Sequence, residues 1–179
     1  LERRFSMIKP SLKGRALLDE INATQPAPEE ADVWWLGQSG YAVRTASALL
    51  YFDLYLSEHL TKKYAETEKP HIRMTEAPLR GYEIDNAGLV FASHKHSDHF
   101  DPVTLPEVFA ASPEAHLVMP AALTEHAVGL GLARERLITT RGDEGFSLGG
   151  MTVYSIPAAH PTFEQTDEGG YPFLGYVVD

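Results

Sequence analysis

The spacing of hydrophobic and polar residues predicts a sheet that is covered by helices. Three short runs, at 32–36, 41–45 and 48–53, combine aromatic and aliphatic residues and are separated by small polar turns, which is typical of a meander of strands. Apolar residues at helical spacing predict a helix over 11–23, which Gly14 weakens.

After residue 88 the predicted strands and helices alternate. A continuous apolar run at 88–92 indicates a strand buried on both faces. Helices are predicted to begin at Asp101 and at Pro120, and further strands are predicted at 116–119, 137–140, 151–156 and 173–178. This order indicates an α/β fold. No internal repeat or linker is evident, so we expect residues 1–179 to form a single domain.

The segment between residues 54 and 85 interrupts this pattern. Residues 58–67 are predicted to be helical, and residues 69–82 to form a long connection that contains Pro70 and Pro78. Long loops in compact domains are commonly functional, so we expect this segment to shape a pocket.

Composition and charge narrow the classes of function. The chain carries 15 basic and 25 acidic residues, a formal net charge of -10, which argues against nucleic acid or an anionic membrane as a partner. It has no cysteine, which excludes disulfides, thiolate ligands and a cysteine nucleophile. No run approaches the roughly 18 apolar residues of a membrane span, so we expect a cytoplasmic protein.

Three histidines and an aspartate crowd one predicted loop, in the sequence SHKHSDH at 93–99. The loop follows a buried strand and precedes a helix, and open sheets tend to place their sites at such strand ends. In an extended chain His94, His96 and Asp98 project to one side, and a turn into the helix brings His99 round to join them. This donor set predicts one or two divalent metal ions.

A further histidine, His160, lies in the sequence PAAHP at 157–161. It follows the predicted strand at 151–156 and so occupies the same kind of position as the first cluster, with small residues beside it. We expect His160 to supply the third nitrogen of the site that His94 and His96 begin.

The H-x-H-x-D-H pattern at 94–99 resembles the hallmark loop of the metallo-β-lactamase superfamily. The segments WLGQSGY at 35–41, FDLYLS at 52–57 and PAAH at 157–160 are similar to those of its L-ascorbate-6-phosphate lactonase-like branch and occur in the same order. The resemblance implies a four-layer αββα sandwich. The chain would hold the first half of this sandwich and the start of the second.

The resemblance also implies roles for single residues. His94, His96 and His160 would hold one metal ion, Asp98 and His99 a second, and Asp53 would support the loop from beneath. His96 stands where the di-iron, oxygen-reducing branch has glutamate, which favours hydrolysis over redox chemistry. The family's bridging aspartate and late histidine are not found before the last residue, so we expect a chain that is truncated at its C-terminus.

Together these features predict a metal-dependent hydrolase of a small lactone or ester, phosphorylated or not, with zinc or manganese. A divalent ion lowers the pKa of bound water from about 15.7 to about 7. Asp98 would orient that nucleophile and accept its proton. A phosphodiesterase or nuclease of the same superfamily and a metal-binding module without activity are the alternatives. We expect a small-molecule substrate as the partner, and the sequence is also compatible with a homo-oligomer.

Overall fold

The computed structural model describes residues 6–179, and its larger sheet has six strands. The antiparallel meander predicted from the sequence is confirmed as β1 (Ala31–Trp35), β2 (Tyr41–Thr45) and β3 (Leu49–Phe52). Three parallel strands then follow in chain order, namely β4 (Leu89–Phe91), β5 (His116–Pro120) and β6 (Leu137–Thr140).

A second, antiparallel sheet contains β7 (Glu144–Leu148), β8 (Met151–Pro157) and β9 (Leu174–Val178). The sequence does not predict β7, because its residues EGFSL include glycine and serine and show no strand pattern. A two-residue turn holds β7 against β8. Gly149 and Gly150 have φ angles of 59° and 86°, which suit the positive-φ positions of a tight hairpin turn.

Within residues 6–179, four α-helices accompany the sheets: α1 (Arg15–Ala23), α2 (His59–Lys63), α3 (Thr104–Ala111) and α4 (Thr124–Gly129). All the predicted helices are shorter than expected. The helix predicted over 11–23 begins only at Arg15, because Gly14, with a φ of 58°, is its N-cap. The helix predicted over 58–67 ends at Lys63, since the polar residues beyond it have no buried face. The helix predicted from Pro120 divides into a 3-10 turn and α4, because Pro120 still belongs to β5. No helix within residues 6–179 is long and apolar enough to cross a membrane.

Side chains of the central strands alternate between two cores. Tyr51, Val90 and Leu117 pack beneath the helices, together with Leu18 of α1 and other buried residues. Their neighbours Leu50, Phe91 and Val118 face the opposite way and pack against Val153 of β8. The predicted α/β fold is therefore confirmed, and the described residues form three of the four expected layers: helices, first sheet and second sheet.

Both sheets meet at the carboxyl ends of β3 and β4. The amide of Asp53, directly after β3, donates to the carbonyl of Phe91 at 2.9 Å. From the second sheet, the amide of Leu174 donates to the carbonyl of Ser93 at 3.0 Å, and the Tyr176 hydroxyl donates to the carbonyl of Ala92 at 3.0 Å. The histidine-rich loop therefore leaves β4 at the junction of the two sheets.

Candidate metal centre

Three imidazoles converge at this junction. One ring nitrogen from each of His94, His96 and His160 lies within 4.8 Å of the other two. The ring centroids of His94 and His96 are 4.7 Å apart, and those of His96 and His160 are 4.6 Å apart. His94 is buried, whereas His96 and His160 are exposed, so the cluster opens towards solvent on one side.

The hydrogen bonds of His94 fit a metal ligand. Its Nδ1 lies 2.9 Å from the hydroxyl of Ser93, and that hydroxyl donates to Asp53 Oδ2 at 2.7 Å, so the hydroxyl accepts from Nδ1–H. Nε2 is left unprotonated. It is buried and has no hydrogen-bond partner within residues 6–179. Such a nitrogen is costly unless a ligand satisfies it, and a divalent metal ion does so.

Asp53 supports the loop through both of its carboxylate oxygens. Oδ1 accepts the amide of Ser93 at 2.7 Å, and Oδ2 accepts Nδ1 of His99 at 2.8 Å as well as the Ser93 hydroxyl. The backbone of Asp53 has a φ of 45°, a left-handed conformation that aspartate tolerates better than most residues. One carboxylate thus orients the imidazole of His99 directly and that of His94 through Ser93.

Asp98 and His99 lie beside the three-histidine cluster and outside it. His99 Nε2 is 3.8 Å from Asp98 Oδ2, and the ring centroids of His94 and His99 are 4.1 Å apart. The structure therefore brings together two of the donors that the resemblance implies for a second ion.

The environment shifts the pKa of two of these histidines in opposite directions. Burial, with smaller effects of the charges on His99 and His96, lowers the pKa of His94 to about 4. Burial also lowers the pKa of His99, but the hydrogen bond and the negative charge of Asp53 outweigh it and the net pKa is raised. At neutral pH His94 is therefore uncharged, as a metal ligand must be.

Besides Ser93, three residues around the site are not among the sequence-based candidates. Gln38 Nε2 donates to Asp98 Oδ2 at 3.4 Å, and the Ser39 hydroxyl donates to the Asp98 carbonyl. The ring of Phe173 stacks on His160 with 5.1 Å between centroids. The G-Q-S-G turn at 37–40 offers a signal for Gln38 and Ser39, since it belongs to a family-like segment, but no sequence signal points to Phe173.

Known proteins resemble this chain in sequence and in fold. No family model matches the chain. A protein of Escherichia coli O45:K1 named "Probable L-ascorbate-6-phosphate lactonase UlaG" is 24% identical over 162 residues, which are 81% of this chain and 46% of that protein. The chain thus spans about half the length of the curated relatives it matches.

Igni18 and CmlA are among the solved structures that share the fold. Igni18, a metallo hydrolase from Ignicoccus hospitalis, has a TM-score of 0.52 at 16% identity, over 83% of this chain and 55% of its own. The fold is that of the metallo-hydrolases. CmlA, a diiron beta-hydroxylase from Streptomyces venezuelae, has a TM-score of 0.56 at 19% identity, over 87% of this chain and 28% of its own. The resemblance inferred from the sequence is confirmed, although the metallo-hydrolase fold alone does not decide the reaction.

Proposed function

We propose that this chain forms the metal-binding part of a hydrolase that acts on a small lactone or ester. One observation carries the proposal: one ring nitrogen from each of three imidazoles lies within 4.8 Å of the other two, and the buried Nε2 of His94 is unprotonated and has no hydrogen-bond partner within residues 6–179. The name of the UlaG relatives supports a lactone as the substrate class. His96 stands at the position where the di-iron, oxygen-reducing branch of the superfamily has glutamate, and this difference favours hydrolysis over oxidation.

The side chains of this site have different proposed roles. His94, His96 and His160 would hold a divalent ion, whose chemistry is to polarise a substrate oxygen and to activate water. Asp98, oriented by the amide of Gln38, would accept the proton of the attacking water at its carboxylate. Ser93 and Asp53 would keep the histidine rings in the tautomer that leaves Nε2 free.

The donor set bears on the identity of the metal. Three imidazoles are a common set for catalytic zinc, which keeps a fourth position open for water or substrate. The resemblance to the lactonase-like branch favours manganese. We propose one ion at the three histidines, with a second ion beside Asp98 and His99.

Metal binding is the first test. The purified protein is dialysed against Zn²⁺ or Mn²⁺ and its metal content is measured for the wild type, His96→Ala and His116→Ala. His116 opens β5, with its Nδ1 bonded to the carbonyl of Glu114, and serves as the matched control. We expect His116→Ala to retain the metal content of the wild type and His96→Ala to lose the ion of the three histidines. Equal metal content in the two variants would contradict the site.

Hydrolysis is the second test. The metal-loaded protein is assayed on panels of lactones, phosphodiesters and thioesters, with Asp98→Asn as the variant that keeps the shape but removes the base. Lactone turnover that Asp98→Asn abolishes is the expected result. A preference for phosphodiesters would assign the protein to the phosphodiesterase alternative. A metal-loaded protein that turns over none of the panels would instead be a binding module.

A further inference from the structure

An open cavity of about 500 Å³ adjoins the candidate centre. Gln38 lines it and also donates Nε2 to Asp98 Oδ2 at 3.4 Å, so a single side chain separates the cavity from the proposed base. Cavities of about 300–1,000 Å³ are typical of small-molecule sites. The volume of the cavity and its position beside Asp98 are therefore compatible with a bound small-molecule substrate.

Exposed apolar side chains form the walls of this cavity. Trp35, Ile72 and Met74 all line it, and they are 55%, 71% and 61% exposed. Large apolar residues grouped around a concavity mark a binding surface more often than a solvated one. The indole is also held in place, because Trp35 Nε1 donates to the carbonyl of Gln38 at 2.9 Å.

The charge of the lining is opposite to that of the chain. Arg73 lines the cavity, and none of the described residues that line it is acidic, against a net charge of -10 for the whole chain. A neighbouring cavity of about 360 Å³, which shares Trp35 with the first, differs in that two acidic residues, Glu20 and Glu76, line it together with one basic residue, Lys9. The cavity beside Gln38 is thus the one of the two that favours an anion.

The side chain of Arg73 is buried and held in place by hydrogen bonds. It is 6% exposed, and it donates Nε to the carbonyl of Thr75 at 2.7 Å and Nη1 to the carbonyl of Ser57 at 3.1 Å. These acceptors are neutral, so they position the guanidinium without cancelling its charge. Burial lowers the pKa of Arg73, and the charge of Glu58 opposes this, but arginine stays charged in proteins.

The turn that carries Gln38 is pressed against the Arg73 segment. Gly37 has a φ of 87°, and a Cβ on it would lie 3.0 Å from Thr75 Oγ1 and 3.1 Å from Arg73 Nη2. Gln38 itself has a φ of 53°, a strained conformation for a residue with a side chain. Strain of this kind persists where the surroundings impose it, often at functional sites.

We propose that this cavity binds the substrate of the metal centre, and that the substrate is a small organic anion with an apolar body. The inference rests on the proposed function. The apolar body lies against Trp35, Ile72 and Met74, and the positive potential of Arg73 stabilises the anionic group. The scissile bond then lies at the Gln38 end of the cavity, beside the carboxylate of Asp98.

Binding is tested with 1-anilinonaphthalene-8-sulfonate, an aromatic anion, titrated into the protein and followed by energy transfer from tryptophan. Ile72→Glu places a like charge in the cavity wall, and Ile156→Glu makes the same change at an exposed isoleucine of β8. We expect Ile72→Glu to weaken binding by about tenfold, as for a like charge within about 10 Å at a protein surface. Ile156→Glu should bind as the wild type does.

Two further measurements separate the parts of the proposal. N-phenyl-1-naphthylamine has the same rings without the charge, and equal affinity for both probes would overturn the preference for an anion. An unchanged affinity of Ile72→Glu for the sulfonate would overturn the cavity itself.

The link to the metal centre is tested by inhibition. The sulfonate is expected to inhibit lactone hydrolysis competitively, and hydrolysis without inhibition would overturn the substrate role of the cavity. His96→Ala should lose the metal and still bind the sulfonate. A protein that binds the sulfonate yet neither holds metal nor hydrolyses any substrate would overturn the proposed function and uphold the binding site.

Discussion

Replacing Ser93 by alanine is expected to weaken metal binding while leaving the fold intact. The hydroxyl of Ser93 donates to Asp53 Oδ2 at 2.7 Å and accepts Nδ1–H of His94 at 2.9 Å. Without it, His94 is free to carry its proton on either ring nitrogen. Only one of the two tautomers leaves Nε2 available to a metal ion.

The magnitude follows from what the substitution removes and what it leaves. Asp53 still accepts the Ser93 amide at 2.7 Å and His99 Nδ1 at 2.8 Å, so the loop stays anchored and the loss falls on His94. Removing an outer partner of a metal-binding histidine typically costs about 10–100-fold in metal affinity. That range corresponds to about 1.4–2.7 kcal/mol.

The assay is competition for Zn²⁺ against a chromophoric chelator at neutral pH. Ser93→Thr keeps a hydroxyl and should bind within a fewfold of the wild type, whereas Ser93→Ala should fall in the expected range. Ser47→Ala, in the exposed turn between β2 and β3, controls for the substitution itself. If Ser93→Ala binds zinc as tightly as Ser47→Ala, the tautomer argument is wrong.

Three other predictions concern stability. Thr61→Val removes a buried hydroxyl that has no hydrogen-bond partner in the described chain, so the free energy of unfolding in urea should be unchanged or higher by about 1 kcal/mol. In Thr104→Val the lost hydroxyl is one that bonds Asp101 and the Leu56 amide, so the same assay should show a loss of about 1–3 kcal/mol. Phe91→Ala empties the contact between the sheets and should cost about 3–5 kcal/mol by urea unfolding, with a smaller loss counting against that contact. The pKa of His94 is lowered to about 4 in the folded protein, against about 6.5 in the unfolded chain, so only the unfolded chain binds this proton as pH falls from about 6.5 to 4. The metal-free protein should therefore lose stability over that range. His94→Gln should flatten this part of the stability profile, and an unchanged profile would contradict the lowered pKa.

Much of the fold could be predicted because its signals are local. The runs at 41–45 and 137–140 match β2 and β6 residue for residue, and the strand at 88–92 is buried on both faces as its continuous apolar run predicts. The exceptions are α2 and α4, which are shorter than predicted, and β7, which the sequence does not predict. The helix α2 stops where no core lies beneath it, and β7 is a strand through its pairing with β8.

The histidine-rich loop could also be predicted from its own residues, since His94, His96, Asp98 and His99 are neighbours in the chain. The hydrogen bonds that orient them could not. The resemblance implies that Asp53 supports the loop, but Gln38 reaches it only because β1 and β4 end at the same edge of the sheet, and a sequence pattern does not specify which side chains face one another there.

The position of His160 depends on how the two sheets meet. The amide of Ala158 donates to the carbonyl of Phe173 at 2.9 Å, the ring of Phe173 stacks on His160, and the next residue, Leu174, donates its amide to Ser93 at 3.0 Å. The start of β9 therefore holds His160 and the histidine-rich loop together. The spacing of the motifs identifies which residues could be ligands, but the distance between them is set by contacts between the sheets. A variant that disturbs the start of β9 should consequently weaken metal binding even though it changes no ligand.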